Sequence, residues 1–215
     1  MNIILLGAPG SGKGTQSRLL QEKFGIIQIA TGDLFRDNVK NQTELGKLVD
    51  SIMKDGKLVP DEITTKMIAE RLEQDDCKNG FILDGFPRNV RQAECLEKML
   101  KEKNIDITAV IKIEIPDDVL IYRTAGRFMC SQCGEAYHVE GKKPVKENVC
   151  DKCGAVGQFY HRDDDNEVSV KKRIETYYSQ TAPLFPYYEE KKMLRKVDGT
   201  LGMYKVAEKI EEIIS

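Results

Sequence analysis

Apolar residues fall along this chain in short unbroken runs. Longer stretches, in which they recur every three or four positions, lie between the runs. The first run, NIILL at 2–6, ends at Gly7 and has no polar alternation. That is the pattern of a strand covered on both faces of a parallel sheet. Runs at Ile26 to Ala30, in GFILD (80–84) and in ITAVIKIEI (107–115) predict three further strands, and RKV (195–197) a short fifth. Helical spacing predicts helices from Lys13 to Phe24, from near Asp33, from Glu44 to Lys54 and from Asn89 to Lys103. Others are expected after Pro116, across about 167–191 and from Tyr204. A helix opening at Pro60/Asp61 sets Ile63, Met67, Ile68 and Leu72 on one face.

Local chemistry sharpens the boundaries. The Thr31 hydroxyl is suited to capping the helix near Asp33, and Gly56 to ending the one before it. Asp117 and Asp118 follow Pro116 in a first helical turn, where the dipole favours acids. Strands alternating with helices imply an α/β fold with a parallel sheet flanked by helices.

The chain has 215 residues, enough for one sizeable core with insertions. Charged residues make up 32% and the net charge is −2, so non-specific nucleic-acid binding is not expected. No stretch approaches the roughly 20 apolar residues of a membrane span. The N-terminus lacks the basic lead of a signal peptide. A cytoplasmic, reducing setting is therefore expected, and there paired cysteines indicate metal or redox chemistry more often than disulfides. Cys77 and Cys95 stand alone and read as small buried or half-buried residues.

Cys130, Cys133, Cys150 and Cys153 form two Cys-x-x-Cys pairs sixteen residues apart, each closed by a glycine. This is the spacing of a closed, structural four-thiolate zinc site. His138 and His161 are not needed as ligands and read as exposed. Lys142, Lys143, Lys146 and Lys152 are offset by Glu135, Glu140, Glu147 and Asp151, so the segment presents no basic face to a nucleic acid. A segment this poor in apolar residues needs a staple, and zinc would supply its folding free energy.

GAPGSGKGT (7–15) follows a strand and opens a helix, the context of a phosphate-cradling loop. Backbone amides, the helix N-terminus and the Lys13 ammonium all favour an anion there. The usual Ser or Thr after the lysine is displaced by one, since Gly14 stands there and Thr15 follows. Arginines brought to such a loop would suit phosphates, because their forks bind bidentately and stay charged. A catalyst joining two phosphates must hold mutually repelling anions in line, which calls for such cations.

GAPGSGKGT resembles the loop of the nucleoside monophosphate kinases. With ATGDLFR (30–36), LVPDE (58–62), LDGFPRNVRQAE (83–94) and HRDDDNEVSVKKRIE (161–175), the whole chain is similar to the adenylate kinase family, in its long-lid form. The resemblance implies Mg·ATP and AMP as substrates and ADP as product. It places ATP on Gly10, Ser11, Gly12, Lys13, Gly14 and Thr15, with Arg127, Ala136, Tyr137 and Leu201 around the base. It places AMP on Thr31, Arg36, Lys57, Leu58, Val59, Gly85, Phe86, Pro87, Arg88, Gln92, Arg162 and Arg173. Lys13, Arg88, Arg123, Arg162 and Arg173 would be catalytic, and Asp84 would hold Mg²⁺ through water. Phe128 stands where a second lid arginine is common, and no role is assigned to it.

The same resemblance implies a core of 1–29, 60–125 and 166–215, an AMP-binding insert of 30–59 and a zinc lid of 126–165, in a monomer. Two other functions compete. A UMP or CMP kinase would share the chemistry but is disfavoured by the long lid and Gln92. A nucleic-acid-binding zinc ribbon on a phosphate-loop switch would need a basic, aromatic-rich face.

Overall fold

A computed structural model describes residues 1–215. The five expected strands form one parallel sheet: β1 (Asn2–Leu6), β2 (Ile27–Ala30), β3 (Phe81–Asp84), β4 (Ala109–Glu114) and a last strand at Leu194–Asp198. Its order is β2-β3-β1-β4 and then the last strand. β1 therefore sits centrally, with β3 on one side and β4 on the other. The connection leaving β1 runs to β2 at one edge, whereas the one leaving β3 crosses to β4 on the other side of β1, so the crevice beyond the C-terminal ends of β1 and β3 is where an open sheet of this type takes a ligand.

The alternation within β1 explains its unbroken apolar run. Ile4 and Leu6 join a cluster of 15 buried residues, and Ile3 and Leu5 join a second of 12 on the other face. The first cluster is completed by α4 (Asp61–Leu72) and α5 (Val90–Glu102), which contribute Ile68, Leu72, Ala93 and Leu96. The second is completed by α1 (Lys13–Phe24) and the C-terminal helix at Met203–Ile214, which bring Leu20, Val206 and Ile210.

Two helices, α2 (Thr31–Lys40) and α3 (Glu44–Lys54), stand off the sheet around a small core of Phe35, Val49 and Val59. The face expected on α4 is divided. Ile68 and Leu72 enter the main core, while Ile63 and Met67 pack on this smaller one, so α4 joins the two.

α6 (Asp117–Ala125) leads to a three-stranded antiparallel sheet of β5 (Arg127–Cys130), β6 (Ala136–His138) and β7 (Phe159–Tyr160), whose order is β6-β5-β7. The helices expected across about 167–191 are present, divided by a π turn. α7 (Glu167–Thr176) runs into a π turn at Tyr177–Thr181, and α8 (Leu184–Glu190) follows. The cause is Pro183, which cannot donate to the ladder; the Ala182 amide bonds back to the Tyr177 carbonyl at 2.9 Å. The strand at Leu194–Asp198 is β8 and the final helix α9. No helix is long and apolar enough to cross a membrane.

Candidate active site

The loop after β1 wraps the N-terminus of α1. Gly10 has φ 86°, and a Cβ there would stand 2.4 Å from Thr124 Oγ1 and 2.7 Å from the Leu120 carbonyl, so only glycine fits against α6. Gly12 caps α1 in the left-handed region at φ 94°, with open space where a side chain would be; its constraint is conformational alone. The loop forms one wall of a cavity of about 1160 Å³ that also meets Asp84, Arg88, Arg123, Arg127, Arg162 and Arg173.

Lys13 Nζ donates to the carbonyls of Gly7 at 2.8 Å and Ala8 at 3.1 Å. Burial pushes its pKa down to about 8, against the pull of Asp84 and with the help of Arg88 and Arg173. Arg88 Nε donates to the Gly85 carbonyl at 2.8 Å, and Arg123 Nη1 to the Gly199 carbonyl at 3.1 Å. Burial, then repulsion from Arg173, lowers Arg88 to about 10, and burial lowers Arg123. These three cations meet backbone oxygens and no carboxylate in an ion pair.

The other arginines are held by acids that sequence reasoning did not single out. Asp165 grips Arg127 in a fork, with Nε at 2.7 Å and Nη2 at 2.6 Å, and also meets Arg173 at 3.2 Å. Asp164 lies 3.2 Å from Arg173 and 3.9 Å from Arg36. Asp33 takes Arg36 at 2.6 Å and Arg162 at 2.9 Å, which ties α2 to the segment after β7. Burial opposes the charges of Asp33 and Asp164, yet the surrounding arginines win and hold both below the usual carboxylate range. Arg162 Nε remains a buried donor without a partner, and burial followed by repulsion from Arg36 lowers its pKa. The three consecutive aspartates at 163–165 beside Arg162 were the available signal.

Asp84 ends β3 inside the cavity and accepts a hydrogen bond from Gln28 Nε2 at 3.0 Å, a partner not foreseen from the sequence. Thr31 does not cap α2. It is the first helical residue, and its hydroxyl donates to the Gly85 carbonyl at 2.8 Å, which draws β2's end to the turn after β3. Thr31, Arg36, Lys57, Leu58, Val59, Arg88, Gln92 and Arg173 line a second, smaller cavity of about 70 Å³. Gly85 and Pro87 line the larger cavity, while Phe86 is fully buried in the main core. Gly10 to Thr15, Arg127, Ala136, Tyr137 and Leu201 all border the large cavity.

The four cysteine sulfurs lie within 4.8 Å of one another. Cys130 and Cys153 are separated by 3.7 Å, and Cys133 and Cys150 by 3.6 Å. Zn–S bonds of about 2.3 Å at tetrahedral angles give edges of about 3.8 Å, so the donor set fits the ion. Both knuckles repeat one turn. The Gly134 and Gly154 amides bond the Cys130 and Cys150 carbonyls at 2.9 and 2.8 Å, and both glycines are left-handed, at φ 70° and 72°. Phe128 has a structural place after all: its ring packs on Tyr137 at 5.6 Å and Phe159 at 5.4 Å in the small core beside the sulfurs. The Tyr137 hydroxyl lies 3.4 Å from Cys150 Sγ and accepts from the Asp151 amide at 2.8 Å.

Two expectations about single residues are corrected. His138 is buried, not exposed. It packs where Gly126 has no side chain, and its Nδ1 accepts from the Glu140 and Gly141 amides, leaving Nε2 to donate to the Tyr122 carbonyl at 3.0 Å. His161 is exposed as expected. Cys77 is buried, but Cys95 is exposed because it lies on the face of α5 opposite Ala93 and Leu96.

The cysteine module touches α1 directly. Arg18 Nη1 donates to the Gly134 carbonyl at 2.6 Å and pairs with Glu135 at 3.2 Å, and Lys152 pairs with Glu22. The family model described as adenylate kinase matches residues 5–193. An adenylate kinase of Caldicellulosiruptor saccharolyticus is 50% identical over 214 residues, which covers 100% of this chain and 97% of the relative. Adenylate kinases of Allorhizobium ampelinum and Rhizobium etli are 48% and 49% identical over 215 residues, each covering 100% of this chain and 99% of the relative. The chain belongs to the adenylate kinase family of phosphoryl-transfer enzymes.

Proposed function

We propose that this enzyme transfers the terminal phosphoryl group of Mg·ATP reversibly to AMP, giving two ADP, and so balances the adenine nucleotides of the cytoplasm as a monomer. One observation carries this reading. Lys13, Arg88 and Arg123 are cations drawn partly out of water, and their partners are backbone oxygens and a serine hydroxyl. A buried charge without a counter-charge is costly, and phosphate groups supply the missing charge. The unpartnered Arg162 Nε adds a further donor aimed at the same need.

In the reaction, an AMP phosphate oxygen forms a bond to the γ-phosphorus as the bond to the ADP leaving oxygen breaks. No protein base is required, because a phosphate monoester loses its second proton near pH 6. Gly10 to Thr15 hold the donor phosphates, and Arg127, Ala136, Tyr137 and Leu201 close around the donor nucleoside. Thr31, Arg36, Lys57 to Val59, Gly85 to Arg88 and Gln92 hold AMP. Lys13, Arg88, Arg123, Arg162 and Arg173 spread charge over the transferring group. Asp84 suits the water shell of Mg²⁺, which neutralises phosphate charge when it arrives with ATP. Cys130, Cys133, Cys150 and Cys153 would hold Zn²⁺ and give the lid its shape. Residues 126–165 act as that lid and 30–59 as the AMP-binding insert, both on a core of 1–29, 60–125 and 166–215. Their closure excludes water, so ATP is not hydrolysed.

The test is ADP formation by the purified protein with Mg·ATP and each of AMP, UMP, CMP and GMP, beside a no-acceptor control. Strong turnover with AMP alone is expected. Turnover with a pyrimidine acceptor overturns the acceptor-site assignment, and ATP loss without acceptor overturns the reaction.

A further inference from the structure

Gln92 stands in the first turn of α5, 1% exposed, against the small cavity. Both ends of its side-chain amide are held. Nε2 donates to Asp61 Oδ1 at 2.7 Å, and Oε1 accepts from the Arg88 peptide amide at 2.8 Å. A carboxylate can only accept and a peptide N–H can only donate. Turning the amide over would set oxygen against oxygen and hydrogen against hydrogen, so its sense is fixed by its neighbours.

Asp61 is itself anchored. It opens α4, and the same Oδ1 accepts from Asn89 Nδ2 at 2.9 Å, while Asn89 Oδ1 accepts from the Gln92 backbone N–H at 2.8 Å and caps α5. The ring Asp61–Gln92–Asn89 thus joins two helix starts. With the Arg88 peptide N–H, it leaves the Gln92 side chain one N–H and one lone pair whose order is set. That order matters to a purine. Adenine presents a 6-amino donor beside the N1 acceptor, whereas hypoxanthine and guanine present a 6-oxo acceptor beside an N1–H donor. An amide free to turn over could read either edge.

We propose that Asp61 is a positioning residue: by fixing the sense of the Gln92 amide, it makes the acceptor site selective for 6-amino over 6-oxo purine nucleotides. This rests on the acceptor reading above. Asp61 needs no contact with the nucleotide. Its effect is on discrimination, because a mismatched edge leaves buried polar groups of both partners unpaired.

The experiment compares kcat/KM for AMP and for IMP, which differs from AMP at this edge alone, in the wild type and in Asp61→Ala. KM for ATP and Tm are measured alongside. The wild type is expected to strongly prefer AMP. In Asp61→Ala the IMP/AMP ratio of kcat/KM should rise about tenfold, through KM and not kcat, with KM for ATP unchanged. A ratio that stays put, including the case where AMP and IMP activity fall together, overturns the proposal and leaves Asp61 a mere tie between α4 and α5. If Asp61→Ala does not fold, Asp61→Leu, which fills the space but offers no acceptor, carries the same test; a rise of about threefold or more supports the proposal and no rise overturns it. A wild type that ignores AMP overturns the acceptor reading and this inference with it, whereas a wild type that prefers AMP with an unmoved ratio overturns the inference alone.

Discussion

Beneath the phosphate loop, the two faces of β1 rest on clusters of 15 and 12 buried residues. Beneath the cysteine knuckles lie Phe128, Tyr137, Phe159 and the sulfurs themselves, with only Cys130, Tyr137 and Cys150 buried. The cleft is built on apolar burial, which is non-directional and needs no partner outside the chain. The lid cannot draw on that source. On the function proposed above its order depends on metal ligation by the four cysteines, which removing one sulfur would weaken. The cleft's charges, by contrast, can be altered with the core left standing. The same chain therefore offers two separable failures, one of chemistry and one of local folding.

The largest effect should come from Lys13→Ala. It removes a cation that contributes to no apolar cluster, so kcat should fall by about a thousandfold with Tm shifted by only about 3 °C. A steady-state assay and a thermal melt check this, and retained turnover would remove Lys13 from the phosphate site.

A smaller effect concerns pH. Burial holds Lys13 near a pKa of about 8, below its ordinary 10.5. Below pH 8 both the folded and the unfolded chain carry the charge, and its burial weakens the fold. Between about pH 8 and 10.5 the folded chain releases the proton first, so this penalty fades as pH rises. Function moves the other way. The kcat/KM for ATP, which reports the free enzyme, should fall above about pH 8, and ATP binding near pH 8.5 should take up a proton. A profile flat to pH 9.5, read by rate and by calorimetry in two buffers, would contradict the buried ammonium.

The difference between the regions also governs what could be read in advance. Features carried by adjacent residues were legible. The apolar run of β1, the glycines and lysine of GAPGSGKGT and the two Cys-x-x-Cys pairs each state their local structure without reference to the rest of the chain. What escaped depends on residues brought together by the fold. Asp165 grips Arg127 across 38 positions, Asp61 holds Gln92 across 31, and Gln28 reaches Asp84 across 56. Nothing in the composition of any single segment distinguishes these acids and amides from solvated ones. Thr31 follows the same rule: a cap is a local feature, and the Gly85 carbonyl that takes its hydroxyl lies 54 residues away. His138 has no sequence signal of burial because its pocket is the empty space at Gly126, which only the turn into β5 creates.

The most direct test of this division is Cys150→Ser, assayed with Mg·ATP and AMP well below its melting transition and followed by a thermal melt of the same sample. The expected result is a Tm lowered by about 5 °C or more, with kcat retained within about fivefold, because the sulfur shapes the lid and no step of phosphoryl transfer passes through it. A kcat lost by orders of magnitude with Tm unchanged would contradict it and put the thiolate cluster in the chemistry.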